Sequence, residues 1–288
     1  MTTSRLQPLV ESGWLEAHLG DPRLRILDCT VFLRPVAGGG VRPEGGYAAW
    51  SEGHIPGSGY ASLIDDLSDR DSPLPVMMPP AGQFAEAMSR YGVGEGTQVV
   101  LYDAAMNMWA ARVWWMLRAF GFDDAAVLNG GWRKWTLERR PVSTDLPAHA
   151  RAEFVARPRA GHIARKDEVL AAIGDPDTCL LNALSEDEHS GKASRVARPG
   201  RIPTSRNVPA GSLVDPESHA YLSSAELRAK FAAAGALEGQ RVITYCGGGI
   251  AACSDALALS LLGVRRVAVY DGSMAEWASD ATLPMETG

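Results

Sequence analysis

Two halves of this 288-residue chain repeat the same order of segments about 140 residues apart, and a duplication on that scale limits the fold more than any single motif does. Val99-Val100-Leu101-Tyr102-Asp103 matches Val242-Ile243-Thr244-Tyr245-Cys246, and Val127-Leu128-Asn129-Gly130-Gly131 through Trp135 matches Val269-Tyr270-Asp271-Gly272-Ser273 through Trp277. Earlier in each half, Arg25-Ile26-Leu27-Asp28 pairs with Cys179-Leu180-Leu181-Asn182, and Gly53-His54-Ile55-Pro56-Gly57 with Gly200-Arg201-Ile202-Pro203-Thr204. Within each copy, short β-branched runs alternate with helical patterns such as 224–234 and 253–262. That alternation implies right-handed crossovers and an α/β fold, a mostly parallel sheet flanked by helices on both faces. Residues 139–158 are rich in proline and charge without a sustained apolar period, so they read as a linker. Domains are expected at 1–145 and 155–288, with the boundary near residue 150.

The copies differ at one informative place. In the second, a β-rich run ends at Cys246, followed by Gly247-Gly248-Gly249-Ile250-Ala251 and an alanine-rich helical pattern. Glycines let successive N–H groups converge on one point, and the following helix adds its partial positive end, so negative charge on the sulfur is stabilised there. The first copy has Asp103 at that position and Ala104-Ala105-Met106-Asn107-Met108-Trp109 after it, with no glycine. A glycine turn needed only for folding would stand in both copies, so the Cys246 loop points to chemistry. A β-branched residue at Gly248 or Gly249 is expected to harm activity more than stability.

Composition narrows the classes. With 46% hydrophobic and 22% charged residues the chain is globular material, and a net charge of −6 argues against a nucleic-acid surface. The first residues lack an apolar targeting core, and no window approaches the roughly 18 uninterrupted apolar residues of a membrane span. A cytoplasmic monomer with no membrane partner is expected. The cysteines at 29, 179, 246 and 253 show no CxxC or histidine-paired spacing, so neither a metal nor a dithiol motif is expected. Cys29 and Cys179 lie in or beside apolar runs and read as buried, and Cys253, about two helical turns after Cys246, reads as packing. Trp114 and Trp115, at helical spacing, read as core and interdomain packing rather than a binding face.

The residues quoted so far, together with Ala111-Arg112-Val113-Trp114-Trp115-Met116-Leu117-Arg118, Trp132-Arg133-Lys134-Trp135 and Glu276-Trp277, resemble the rhodanese family, specifically its two-domain thiosulfate and 3-mercaptopyruvate sulfurtransferases. The resemblance spans nearly the whole chain. It implies tandem rhodanese-like domains, the first catalytically silent with Asp103 at the cysteine position and the second carrying the nucleophile Cys246. It further implies a double displacement: Cys246 takes the outer sulfur of a small anionic donor as a persulfide, then passes it to cyanide, a thiol or another thiophilic acceptor, with no dissociable cofactor. Family members carry donor-binding arginines in the stretch matching 192–201, which makes Arg195 the first candidate here, followed by Arg198 and Arg201. A solvated basic loop paired with Glu186, Asp187 and Glu188 accounts for the same residues.

The donor is where this chain departs from the family pattern. The uncharged loop Gly247, Gly248, Gly249, Ile250, Ala251 resembles the mercaptopyruvate type, but Gly248 and Ala251 replace its usual serine and threonine. Val76 stands where that group has a histidine after Asp69-Arg70-Asp71-Ser72-Pro73, which leaves Asp65 alone. On these grounds thiosulfate is the expected donor and 3-mercaptopyruvate the alternative. His54 reads as tying backbone down, and His189 is left unassigned. A cysteine phosphatase would need an arginine at 252, which is Ala252. A non-catalytic rhodanese-like interaction or sulfur-carrier module is the other rival, opposed by retention of Cys246 in a glycine loop.

Overall fold

A computed structural model describes residues 5–36, 41–147, 149–238 and 241–288. The chain divides into two compact units. The first comprises residues up to Asp71, Met78–Arg159 and Pro216–Ala220; the second comprises Ser72–Met77, Ala160–Asp215 and Tyr221–Gly288.

The first unit contains β1 (Leu9–Val10), α1 (Ser12–Ala17), β2 (Leu24–Asp28), β3 (Val31–Pro35), β4 (Val41–Gly45), α2 (Tyr47–Glu52), β5 (Ser58–Tyr60), α3 (Ala81–Arg90), β6 (Gln98–Tyr102), α4 (Met108–Ala119), β7 (Ala125–Leu128) and α5 (Gly131–Leu137). Its sheet runs β1-β7-β6-β2-β5, every neighbour parallel. The second unit contains β8 (Ile163–Ala164), α6 (Lys166–Ala171), β9 (Thr178–Asn182), α7 (Glu186–Ser190), β10 (Arg206–Asn207), α8 (Ser224–Ala233), β11 (Arg241–Tyr245), α9 (Ala251–Leu261), β12 (Val267–Tyr270) and α10 (Ser273–Trp277). Its sheet runs β10-β9-β11-β12-β8, again parallel throughout. Under the duplication these orders are identical. The antiparallel pair β3–β4 belongs to the first unit alone.

Strands buried on both faces explain the apolar runs: Val99, Val100, Leu101 and Tyr102 are all buried, as are Val242, Ile243, Thr244 and Tyr245. Each core is closed by the same polar locks. Tyr102 bonds Ser58 Oγ at 2.9 Å and accepts the Ile55 N–H at 3.4 Å; Tyr245 bonds Ser205 Oγ at 2.7 Å and accepts the Ile202 N–H at 3.2 Å. Trp135 Nε1 donates to Pro141 O at 2.8 Å and Trp277 Nε1 to Pro284 O at 2.9 Å. A buried hydroxyl or indole N–H needs such a partner, and both copies supply it from the same places.

The stretch read as a linker behaves differently along its length. Phe154 is buried against Phe84, with ring centroids 5.6 Å apart, and its N–H donates to Ser89 Oγ at 3.0 Å. Arg157 N and Arg159 N donate to Phe120 O and Ala119 O at 2.7 and 2.8 Å. A single aromatic anchor and backbone bonding hold this segment on the first unit up to Arg159, although its composition carries no periodic signal.

Candidate active site

Cys246 directly follows β11, the central strand of its sheet, and α9 begins five residues later. The thiol therefore sits at the carboxyl end of the sheet, where open α/β folds place their sites. The three glycines between strand and helix do different things. Gly249 has φ +75°, and a Cβ there would stand 2.6 Å from the Asp271 carbonyl oxygen, so only glycine fits. Gly248 has nothing within 4 Å of its Cβ position, and Gly247 meets only Leu184 Cδ2 at 4.0 Å. These two keep space open over the loop. The expectation of a shared effect at 248 and 249 is thus corrected: at 249 the backbone itself opposes a side chain.

Cys246 is 2% exposed. Its N–H and that of Gly249 donate to Ser273 Oγ at 3.0 and 3.1 Å, and that hydroxyl donates to Tyr270 O at 2.8 Å. Met274 N and Ala275 N donate to the carbonyls of Cys246 and Gly247 at 3.0 and 2.8 Å. The N–H groups of Gly247, Gly248 and Ile250 have no hydrogen-bond partner among the described residues.

The first copy shows the same cradle filled. Asp103 Oδ1 accepts from Ala105 N at 2.6 Å and Asn107 N at 3.1 Å, and Oδ2 from Trp109 N at 2.9 Å and Ala110 N at 2.8 Å. Burial pushes this carboxyl up to about 7 against the pull of those N–H groups, and the charge of Asp28 adds to the push. Beneath it, burial pushes Asp28 up to about 6. At the Asp28 position the second copy has Asn182, whose Oδ1 accepts the Leu184 N–H at 2.9 Å as Asp28 Oδ1 accepts the Thr30 N–H at 2.8 Å. The amide keeps the turn without placing a carboxyl below the thiol.

The three candidate arginines separate cleanly. Arg198 spans four backbone carbonyls: Nε to Ala278 at 3.0 Å, Nη1 to Leu283 at 2.9 Å, and Nη2 to Trp277 at 3.0 Å and Asp280 at 2.6 Å. Arg201 bonds Gly288 O at 2.6 Å and pairs with the Glu286 carboxylate. Both guanidiniums close the carboxy-terminal segment onto their own unit. Arg195 pairs with Glu188 at 3.3 Å while its side chain stays 64% exposed, the geometry of a surface pair that an incoming anion can displace.

Comparison with known proteins agrees with this geometry. The family model described as Rhodanese-like domain matches residues 11–138 and 165–280. The human 3-mercaptopyruvate sulfurtransferase is 34% identical over 278 residues, covering 93% of this chain and 91% of that protein. The Escherichia coli K12 enzyme of the same name is 32% identical over 283 residues, covering 96% and 97%. A crystal structure of an Escherichia coli 3-mercaptopyruvate sulfotransferase superposes with a TM-score of 0.82 at 29% identity, covering 93% of this chain and 99% of the other. A putative thiosulfate sulfurtransferase of Mycolicibacterium smegmatis is 32% identical over 296 residues, covering 99% of each. The chain belongs to the rhodanese family. It is an enzyme of the sulfurtransferase kind, built as two rhodanese domains.

Other groups in this rhodanese settle into structural places. All four cysteines are free and buried. Burial pushes the Cys29 thiol well up and Cys179 up to about 11, and the Cys253 thiol donates to Gly249 O at 3.2 Å. His54 is buried with its ring nitrogens 2.8 Å from Trp50 O and 3.0 Å from Asp145 O, a backbone tie. Burial, reinforced by Arg201, drives His189 down to about 4, so it is neutral at physiological pH. Val76 holds φ 55°, and Asp65 accepts from the Ser62 hydroxyl at 2.7 Å. Among the described residues there is no cluster of His, Cys, Asp or Glu able to hold a metal and no helix long and apolar enough to cross a membrane.

The residue that sequence reasoning missed is Ser273. It was visible as the position in Asp271-Gly272-Ser273 where a hydroxyl-bearing residue replaces the second glycine of the first copy's Asn129-Gly130-Gly131.

Proposed function

We propose that Cys246 carries a sulfane sulfur from 3-mercaptopyruvate to a thiophilic acceptor through a persulfide. The observation that carries this reading is the pair of cradles: the Asp103 carboxylate fills one with four N–H bonds, and the Cys246 loop offers its own N–H groups beneath open space. In the first step the Cys246 thiolate attacks the donor sulfur. A sulfur–sulfur bond forms, the carbon–sulfur bond breaks, and its electron pair passes to the carbon as pyruvate enolate, which takes a proton. The outer persulfide sulfur is anionic, and preorganised loop dipoles stabilise it without a proton donor, each well-placed donor contributing on the order of a few kcal/mol. In the second step a nucleophile such as cyanide or a thiol takes the outer sulfur and Cys246 leaves as thiolate.

Charge supports mercaptopyruvate over the thiosulfate that Val76 and the missing loop hydroxyls favour. Of the three arginines expected to face the donor, only Arg195 is not bound to backbone. One guanidinium matches a single carboxylate, whereas a dianion calls for more. The relatives bearing the mercaptopyruvate name support the same choice. Thiosulfate is the second reading, and there sulfite is the leaving group.

Steady-state rates with each donor against the same cyanide acceptor test the proposal. A mercaptopyruvate preference of about tenfold or more in kcat/KM is expected, with Arg195→Ala raising its KM about tenfold, on the order of one exposed charge pair in a partly dry site. Equal or better rates with thiosulfate overturn the donor. Failure of the protein to gain one labile sulfur from either donor by intact mass, measured against Cys246→Ser, overturns the chemistry and supports the interaction-module reading.

A further inference from the structure

The silent and active loops are tied by different means, and the difference isolates one side chain. In the first unit the loop is held from within, by the four N–H bonds to Asp103. A thiol cannot do this for Cys246, because it has one weak acceptor atom and that atom must remain free to react. The second loop is held from beneath, by Ser273 Oγ, which accepts from both Cys246 N and Gly249 N and donates to Tyr270 O.

Ser273 is fully buried and has φ 48°, a left-handed conformation that is strained for a serine. Its counterpart Gly131 has nearly the same φ, 50°, and a Cβ there would collide with the Asp103 carbonyl oxygen and stand 2.9 Å from Asn107 Oδ1. The turn itself therefore needs no side chain, and glycine is the less strained residue for it. A strained, buried serine in the active copy alone indicates that the hydroxyl is what is kept.

We infer that Ser273 is a positioning residue for sulfur transfer: its hydroxyl binds the Cys246 and Gly249 N–H groups and so fixes the remaining loop N–H groups in the orientation that receives the persulfide. It acts through the loop and does not touch the donor. The inference rests on Cys246 as the sulfur carrier, and the test separates the two claims.

The decisive variant is Ser273→Gly, which installs the silent copy's residue, with Ser273→Ala as the variant that keeps the backbone strain. Three readouts are taken on the full chain: melting temperature, rate of single-sulfur uptake by Cys246 from 3-mercaptopyruvate and from thiosulfate, and the pH dependence of Cys246 alkylation by iodoacetamide. Two donors left hydrogen-bond-deficient predict about a tenfold or greater fall in uptake through kcat with KM little changed, and an alkylation profile displaced to higher pH, while melting stays within a few degrees of wild type. Uptake within twofold of wild type in Ser273→Gly overturns the inference. Slower uptake with an undisplaced alkylation profile and a lowered melting temperature also overturns it, by reducing Ser273 to scaffold. Wild-type protein that takes up no sulfur from either donor defeats the persulfide reading instead, and the alkylation profile then still decides whether Ser273 orders the loop.

Discussion

The Asp103 and Cys246 loops sit on the same strand–turn–helix frame and solve opposite problems. The first encloses its anion: the carboxylate is 1% exposed and bonded to four N–H groups of its own turn. The second is built to receive one, with glycines leaving room at 247 and 248 and a hydroxyl outside the cradle holding the loop in place. In the first copy non-glycine residues take the left-handed steps, Met106 and Asn107 with φ 54° and 63°. In the second, the Asp271 carbonyl oxygen leaves room for glycine alone at 249, and Gly247 and Gly248 add space. The proposed transfer needs a loop with room for an incoming anion, whereas the first copy bonds its own carboxylate to the turn.

The strongest way to break that contrast is to fill the second cradle. Cys246→Asp is expected to abolish sulfur transfer, by about a thousandfold or more, since no nucleophile remains. Intact mass after donor treatment checks it, and any sulfur gained on that loop would show that another residue carries it. Emptying the first cradle is the reciprocal change. Asp103→Ala should cost about 2–3 kcal/mol in urea unfolding, because several buried N–H groups lose their acceptor, while the rate per folded molecule stays within twofold.

Titration of the filled cradle sharpens the comparison further. Burial lifts Asp103 to about 7 and Asp28 to about 6, both above the ordinary 3.8. A carboxyl whose folded value is raised contributes stability that is complete below about pH 4 and is lost as pH rises through the folded values. Stability of the first unit should therefore decline between about pH 4 and pH 7 and level off above, and Asp103→Asn should flatten that slope; an unchanged slope in the variant would assign the effect elsewhere. The smallest effect separates the glycines. Gly249→Ala should destabilise by about 1–3 kcal/mol through strain and the Asp271 clash, whereas Gly248→Ala should stay within about 0.5 kcal/mol. Equal thermal shifts for the two would refute their division into backbone and space.

Much of this was legible from residue order. The paired runs ending at Asp103 and Cys246 reveal two α/β units because alternating strand and helix patterns are local, and local signals survive without coordinates. The family follows from the same stretches. The end of the first unit was less legible: Phe154 fixes it by burial against Phe84, a contact between residues far apart in the chain with no periodic trace.

The sequence by itself determined the tandem rhodanese architecture and the contrast between the Asp103 and Cys246 loops, because each is written in contiguous residues. Tertiary structure alone decided which partners the charges and hydroxyls around the Cys246 loop take. Arg195, Arg198 and Arg201 look alike in a basic stretch, yet Arg198 closes four carbonyls between Trp277 and Leu283 and Arg201 holds Glu286 and Gly288. Ser273 reaches Cys246 from the turn after a different strand. A side chain's partners depend on which distant backbone groups packing leaves unsatisfied beside it, and that information exists only once the chain has closed on itself.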